Sequence, residues 1–324
     1  MKHSRKVDIG RGCLITQLGL GTAPLGGLFT SVSESQGDAL VRTALASGIH
    51  YFDTAPHYGK GTAERRLGAA LAGLPRSSFV ISTKVGRLLV PSDGTVDPDF
   101  ADADSTTMRV FDFSAQGVVQ SLEESLARLG LESVEMVLIH DPDDHADQAI
   151  KVGYPALAKL RDQGIIKAIG VGMNQSAIPT RFVKETDIDF VLIAGRYTLL
   201  DQSAAEDLLP AAIDRGVSII AAGVFNSGVL ANPVPGSHFN YAPATSEIIA
   251  QAQALEALFE EFGVTLEQAA VQFPLQHPAV KAVLVGCRTE QEVKANIAAF
   301  DTEIPQSAWS ALHKFIATNG GVNG

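Results

Sequence analysis

Long apolar runs, cysteines and basic clusters are scarce in this chain of 324 residues. No apolar run approaches the roughly 18 residues of a membrane-spanning helix, so we expect no membrane span. The two cysteines, Cys13 and Cys287, are too few for a disulfide framework and fit a reducing cytosol. Residues 1–12 carry charges without an apolar stretch, so we expect no signal peptide. These absences predict a globular, cytoplasmic protein.

Positive charge is also in short supply. Lys and Arg number 25 against 36 Asp and Glu, which gives a net charge of −11 at pH 7. An acidic chain without basic blocks repels the phosphates of nucleic acids and the surfaces of anionic membranes. We therefore expect neither nucleic acid nor membrane as a partner, and the sequence predicts no particular oligomeric state.

Short apolar runs rich in β-branched residues alternate with longer segments of helical periodicity. The runs are continuously apolar, as expected for parallel strands buried on both faces. Residues 115–129 and 245–262 exemplify the helical segments, and Ser114 is a candidate cap for the first. A doubly wound sheet would show the same alternation, but so many units in one chain predict an α/β protein with a (β/α)8 TIM barrel. The predicted strands are residues 18–22, 49–52, 79–83, 136–139, 166–171, 190–193, 217–221 and 280–285.

Outside these units, residues 7–15 contain two short strand patterns around Gly10 and Gly12, which predict an N-terminal β-hairpin. No linker or charge block divides the chain, so we expect a single domain over residues 1–324. Two longer irregular stretches, residues 89–112 and 231–244, remain, and loops of that length are uncommon unless they are functional. The first follows a predicted strand and would overhang the carboxyl end of the barrel, where active sites lie.

Polar side chains stand just beyond three of the predicted strands. Asp53, Lys84 and His140 each follow a strand directly, and Tyr58 lies five residues beyond Asp53. Taken singly, the aspartate fits a turn or helix cap, the lysine a solvated charge and the histidine a structural residue. Because strands of one barrel end at the same mouth, the four together predict a catalytic centre.

The chemistry of these four groups is mutually consistent. A tyrosine is a poor acid or base at neutral pH because its pKa is about 10. The Lys84 ammonium is expected to lower the pKa of Tyr58, with Asp53 holding the ammonium in place. His140 would orient or polarise a carbonyl oxygen. The set suits proton transfer coupled to hydride transfer between a carbonyl or alcohol and a nicotinamide.

Competing motifs are weaker. Gly19 and Gly21 lack the third glycine and the distant acid of a dinucleotide-binding fingerprint, which favours a simple turn. Residues 140–145 (HDPDDH) resemble a metal-ligand cluster, but a proline interrupts them and their spacing matches no zinc pattern, so we expect no metal. The sequence contains neither a phosphate-binding loop nor a nucleophile elbow.

A family resemblance rests on four blocks of sequence. Residues 52–61 (FDTAPHYGKG) resemble the signature of the aldo-keto reductases, and the likeness covers residues 7–300. It implies a (β/α)8 barrel that binds a nicotinamide cofactor in extended form. Further blocks similar to the family, in the same order, are residues 83–85 (TKV), 138–141 (LIHD) and 170–174 (GVGMN).

The resemblance also implies the catalytic residues. The catalytic tetrad is the set selected by the strand ends, namely Asp53, Tyr58, Lys84 and His140. We expect substrate contacts from His57, and from Arg109, Phe111 and Asp112 in the stretch at residues 89–112, whose aromatic and polar groups suit a sugar or pyridine ring. The alternative for that stretch is a solvent-exposed loop without a functional role.

Cofactor-binding positions follow from the same resemblance. Asn174 is the expected partner of the carboxamide, because Ala194 stands where many members have glutamine. Ala222 stands where many members have a tyrosine that stacks on the nicotinamide, so the ring needs other support. Near the cofactor we place Gly21, Thr22 and Asp53, with Gly223, Asn226, Ser227 and Gly228 at the pyrophosphate; a plain turn is the alternative for this last group.

Residues 285–292 (VGCRTEQE), together with Asn296, bear on the choice between NAD and NADP. Family members that use NADP commonly have basic residues here, whereas the matched positions of this chain hold Gly286 and Glu292. The glutamate would repel a 2′-phosphate and accept a hydrogen bond from the 2′-hydroxyl of NAD, so we expect NAD. Arg288 is a candidate for adenine or phosphate contact; the alternative is a surface arginine paired with Glu292.

Within the family, residues 139–143 (IHDPD) and 194–200 (AGRYTLL) are most similar to a bacterial branch of NAD-dependent sugar dehydrogenases. The likeness implies an oxidoreductase of carbohydrate metabolism that oxidises the anomeric hydroxyl of an aldose, of the L-fucose or D-threo-aldose type, to a lactone. Oxidation of pyridoxal to 4-pyridoxolactone is the alternative on the same fold. An alternative of another class is a cofactor-sensing binding subunit like the potassium-channel β-subunits.

Overall fold

The computed structural model describes residues 1–94 and 96–319. In chain order its strands are β1 (Lys6–Asp8), β2 (Leu14–Thr16), β3 (Leu18–Gly21), β4 (Tyr51–Asp53), β5 (Val80–Val85), β6 (Arg87–Pro91), β7 (Thr107–Phe111), β8 (Met136–His140), β9 (Ala168–Met173), β10 (Phe190–Ala194), β11 (Ser218–Ala222), β12 (His238–Phe239), β13 (Ala242–Pro243) and β14 (Val280–Gly286). Its helices are α1 (Glu34–Ala46), α2 (Thr62–Leu71), α3 (Ala115–Leu129), α4 (Ala146–Gln148), α5 (Tyr154–Asp162), α6 (Ala177–Glu185), α7 (Leu208–Arg215), α8 (Ser246–Glu260), α9 (Leu266–Gln272), α10 (Glu290–Asp301) and α11 (Gln306–Asn319).

A closed parallel barrel forms the centre of the molecule. Its strands pair in the order β3, β4, β5, β8, β9, β10, β11 and β14, and the barrel closes where β14 pairs with β3. Strands β1 and β2 form an antiparallel hairpin ahead of the first barrel strand, with Val7 opposite Ile15. The predicted (β/α)8 barrel and N-terminal hairpin are both confirmed.

Each predicted barrel strand is present, with ends shifted by at most two residues. The shifts move the polar residues of interest into the strands: Asp53 and His140 are the last residues of β4 and β8, and Lys84 lies inside β5. The strands extend beyond the apolar runs because a polar side chain that points into the barrel mouth does not prevent its own backbone N–H and C=O groups from pairing with the neighbouring strand. Lys84, for example, is in register with Leu138.

The N-terminal hairpin closes one end of the barrel and leaves the other open. Ile9 and Ile15 are buried in one apolar cluster with Tyr51, Met136 and Phe190. The last three are the first residues of β4, β8 and β10, so the hairpin covers the amino ends of the strands. Ligand access is therefore confined to the carboxyl ends, where the polar residues stand.

The two stretches expected to be irregular contain strands. In the first, β6 and β7 pair as an antiparallel hairpin with Arg87 opposite Phe111, and residue 95 lies outside the described residues. Val90, Val110 and Phe111 are residue types that favour strands, which accounts for the pairing. The second contains the two-residue strands β12 and β13.

Helix starts follow the local capping signals. The Ser114 hydroxyl accepts a hydrogen bond from the Gly117 amide at 3.0 Å, which confirms the predicted cap of α3. The Thr245 hydroxyl does the same for α8, which ends at Glu260 rather than at residue 262. No helix among residues 1–94 and 96–319 has the length and apolarity needed to cross a membrane.

A close backbone contact holds the turn after β4 against the turn after β3. A Cβ atom on Gly26 would lie 2.7 Å from the Gly59 nitrogen and 2.7 Å from the Tyr58 carbonyl carbon. Gly59 itself has a φ of 61°, so neither turn can easily move to make room. This contact fixes the backbone that carries Tyr58.

We predict that Gly26→Ala lowers the free energy of unfolding by about 1–3 kcal/mol, as overpacking of a tight contact does. The measurement is urea denaturation. Gly37→Ala in α1 is the control, because its new methyl group meets nothing nearer than Leu25 at 3.4 Å and alanine favours a helix. Equal stability of the two variants would contradict the packing account.

Candidate active site

A buried lysine joins the predicted catalytic side chains at the carboxyl end of the barrel. The Lys84 ammonium donates hydrogen bonds to Asp53 Oδ2 at 2.5 Å and to the Thr54 carbonyl oxygen at 3.0 Å. Its third hydrogen bond reaches the Tyr58 hydroxyl oxygen at 3.0 Å. Lys84 and Asp53 are each 1% exposed, and Ser82 donates a further hydrogen bond to Asp53 Oδ1. All three N–H groups of the ammonium are therefore satisfied without water.

Burial raises the pKa of Tyr58 well above its usual value, and the Asp53 carboxylate raises it further. The expectation of a lowered pKa is therefore not met: burial and Asp53 outweigh the effect of the Lys84 ammonium. The Asp53 carboxylate lies close enough to the Lys84 ammonium to offset its positive charge, and the buried surroundings of Tyr58 disfavour the charged phenolate. At neutral pH Tyr58 is a protonated phenol beside an ammonium.

Two imidazoles face this phenol. The ring centroids of His140 and of His57 each lie 6.0 Å from that of Tyr58. Burial lowers the pKa of His140 well below its usual range, and burial together with the Arg87 charge lowers the pKa of His57 to about 2. Both rings are consequently neutral at physiological pH, and each carries one N–H donor and one bare nitrogen.

A groove with a volume of about 810 Å³ runs from Tyr58 across the carboxyl ends of the strands towards α10. Its volume falls in the range of about 300–1,000 Å³ that is usual for small-molecule sites. Nearly all the predicted cofactor residues lie along this groove, namely Gly21, Asp53, Asn174, Gly223, Asn226, Ser227, Gly228, Gly286, Arg288, Glu292 and Asn296. Thr22 is the exception, and it directly follows the lining residue Gly21.

Polar atoms without partners indicate what this groove accepts. Asn226 Oδ1 and Arg288 Nε are buried and have no hydrogen-bond partner among the described residues. Since buried polar atoms are normally hydrogen-bonded, these fit an extended ligand with both donors and acceptors. The residues present therefore fit a nicotinamide dinucleotide.

The two charged residues near α10 do not pair through their side chains. Glu292 Oε2 accepts a hydrogen bond from the backbone amide of Arg288 at 2.7 Å, and the Thr289 hydroxyl accepts one from the Glu292 amide at 3.1 Å. The Glu292 carboxylate thus completes the start of the helix. No ion pair among the described residues joins the Arg288 guanidinium to Glu292, and Arg288 lines the groove.

The candidate substrate residues of the β6–β7 hairpin do not line the groove. The Arg109 guanidinium donates to the His57 carbonyl oxygen at 2.7 and 3.2 Å and pairs with Asp97. Phe111 stacks on Phe113, and the Arg87 guanidinium lies 4.9 Å from the Phe111 ring centroid. The geometry makes Arg109 a support of the His57 backbone.

Sequence reasoning missed two aromatic residues at the groove. Phe29, after β3, and Tyr241, between β12 and β13, line it with ring centroids 6.4 Å apart. Both residues have left-handed backbone conformations, with φ of 62° and 65°. Such conformations are rare outside glycine and asparagine, so the sequence contained no signal for where these rings lie.

The possible metal ligands at residues 140–145 do not form a metal site. Across residues 1–94 and 96–319, no group of three or more His, Cys, Asp or Glu side chains is arranged to hold a metal ion. Asp141 instead pairs with Arg87, and the His145 ring packs against Phe111 and Phe113.

Comparisons with known proteins agree with this geometry. Residues 17–317 match the model of the aldo/keto reductase family. The chain is 41% identical to a pyridoxal 4-dehydrogenase of Microbacterium luteolum and 41% identical to a D-threo-aldose 1-dehydrogenase of a Pseudomonas species. Each alignment covers 96% of this chain and 97% of the relative. A glycerol dehydrogenase structure from Gluconobacter oxydans superposes with a TM-score of 0.76 at 24% identity, covering 99% of this chain and 97% of the other, which bears on the fold alone.

Proposed function

This chain belongs to the aldo/keto reductase family and is an oxidoreductase, and on that premise we propose that it oxidises the anomeric hydroxyl of an aldose to a lactone with NAD. The observation that carries the proposal is the Lys84 ammonium, which joins the Asp53 carboxylate to the Tyr58 hydroxyl at one end of the groove. The 41% identity to a D-threo-aldose 1-dehydrogenase supports the substrate class.

In the proposed reaction, the hydroxyl on C1 of the aldose loses its proton to Tyr58 in the phenolate form. The C1–H bond breaks with its electron pair, and the C1–O bond becomes the carbonyl of the lactone. When bound, the nicotinamide supplies the acceptor for the departing hydride. The Lys84 ammonium stabilises the phenolate, Asp53 holds that ammonium in place, and the N–H of His140 orients the reacting oxygen.

Other residues of the groove would hold the cofactor. Asn174 would bind the carboxamide, and Asn226, Ser227 and Gly228 would donate to the pyrophosphate. Phe29 and Tyr241 offer aromatic faces in the same groove as Ala222, which is too small to stack on a ring. This assignment is supported by the position of these residues along the groove and by Gly223 and Gly228, which carry no side chain to obstruct it.

Pyridoxal is the second candidate substrate. The chain is as similar to the pyridoxal 4-dehydrogenase as to the aldose enzyme, and Phe29 and Tyr241 could contact the faces of a pyridine ring. The reaction on the hemiacetal of pyridoxal would again give a lactone, so the catalytic groups do not distinguish the two. A screen of aldoses and pyridoxal with NAD, read by NADH absorbance, tests both candidates.

We predict that Tyr58→Phe lowers kcat by about 10²–10⁴-fold and changes the Kd for NAD by less than about twofold, because proton transfer needs the phenol and cofactor binding does not. Steady-state kinetics and fluorescence titration with NAD are the measurements. Lys84→Met should lower kcat as well and should also destabilise the fold, since it leaves Asp53 buried without its partner. Near-normal turnover by Tyr58→Phe would disprove the tetrad.

The raised pKa of Tyr58 predicts the pH dependence. Oxidation needs the phenolate, whose fraction grows as pH rises towards a pKa that lies above the usual value, so kcat for oxidation should increase steadily from neutral to alkaline pH. Reduction of the lactone uses the phenol and should not share this increase. A pH–rate profile in both directions is the measurement, and an oxidation rate that falls above pH 8, with the protein still folded, would contradict the assignment.

We predict that kcat/KM for NAD exceeds that for NADP by at least about tenfold, because recognition of a 2′-phosphate usually needs Arg or Lys. Gly286→Lys combined with Glu292→Arg should narrow or reverse this preference. Glu303→Arg is the control, since it makes the same charge change as Glu292→Arg at an exposed residue outside the groove. A wild-type preference for NADP would refute the role given to residues 285–292.

A further inference from the structure

One guanidinium, that of Arg87, connects three elements at the mouth of the barrel. Arg87 Nη1 lies 3.0 Å from His57 Nδ1, and Arg87 Nη2 donates to Asp141 Oδ2 at 2.7 Å. His57 is on the turn after β4, Arg87 begins β6, and Asp141 directly follows β8. The catalytic candidates Tyr58 and His140 are chain neighbours of His57 and Asp141, so the bridge fixes groups on both sides of the reacting centre.

The bridge determines which nitrogen of His57 carries the proton. A guanidinium has no acceptor, so the Nδ1 atom facing Arg87 must accept and the single proton of the neutral ring is on Nε2. On the other side, His140 Nε2 lies 3.3 Å from Asp141 Oδ2.

Two polar atoms of this network have no partner among the described residues. They are His57 Nε2, a donor, and Asp141 Oδ1, an acceptor. Both side chains are partly exposed, and the His57 ring centroid lies 6.0 Å from that of Tyr58 and 5.6 Å from that of His140. A free donor and a free acceptor thus lie on the chain neighbours of Tyr58 and His140.

We propose that His57 Nε2–H and Asp141 Oδ1, both held by Arg87, bind the hydroxyl on the carbon next to the reacting carbon. The proposal rests on the aldose oxidation proposed above. A hydroxyl donates and accepts at once, which matches one donor and one carboxylate oxygen. The site then selects substrates with neighbouring hydroxyls. In pyridoxal the carbon next to the reacting carbon bears no hydroxyl; the phenol lies one carbon further away, and its ionised form accepts only and is repelled by Asp141.

The test compares one aldose that the enzyme oxidises with the 2-deoxy analogue of the same aldose. For the wild type, kcat/KM should be about 10–100-fold lower with the 2-deoxy sugar, as expected for loss of a hydrogen bond to a charged group. His57→Phe keeps a planar ring and removes the donor, and Asp141→Asn keeps an oxygen for Arg87 and tolerates the φ of 41°. In each variant the ratio between the two sugars should fall to below about one third of the wild-type ratio.

The control is Asp144→Asn, which removes the same charge three residues away from an exposed side chain. It should leave the ratio unchanged. Thermal unfolding and NAD titration verify that each variant is folded and binds cofactor. If the wild type oxidises the aldose and its 2-deoxy analogue equally well, or if both variants lose activity on the two sugars in equal proportion, the proposed hydroxyl site is wrong while the aldose oxidation stands. If no aldose is oxidised with NAD, both proposals fail together.

Discussion

The buried ion pair between Lys84 and Asp53 is the interaction on which the rest of the site depends. Each side chain is 1% exposed, and a carboxylate, a carbonyl oxygen and a phenol oxygen replace water around the ammonium. Removing either charge would leave the other buried, without a partner and without water to solvate it. The pair therefore fixes both the position of the Tyr58 hydroxyl and the position of the positive charge beside it.

The barrel explains why these groups meet although they are far apart in the chain. Parallel strands in register bring the ends of β4, β5 and β8 to one mouth, and the hairpin of β1 and β2 covers the opposite end. The groove continues from that mouth over β3, β11 and β14 to α10. Chemistry and cofactor candidates consequently share a single open face, with Tyr58 at one end and Glu292 towards the other.

Much of this arrangement could be predicted from the sequence, because apolar runs locate the strands. A polar residue at the carboxyl end of such a run is then expected at the mouth of the barrel. Asp53, Lys84 and His140 are found on that logic alone. The link between Arg87 and Asp141 could not be predicted, since it depends on how a hairpin folds back over the mouth. The rings of Phe29 and Tyr241 depend on left-handed backbone conformations that their residue types do not signal. The pKa of Tyr58 was predicted in the wrong direction because burial, its largest cause, is a property of the folded chain.

The most direct test of the account follows the hydrogen on C1. An aldose deuterated at C1 is incubated with the enzyme and NAD, and the reduced nicotinamide and the sugar product are analysed by mass spectrometry. The account predicts that the deuterium is found in the reduced nicotinamide and that the product is the lactone. Reduced nicotinamide without deuterium, or a sugar oxidised at another carbon, would contradict the proposed chemistry at Tyr58.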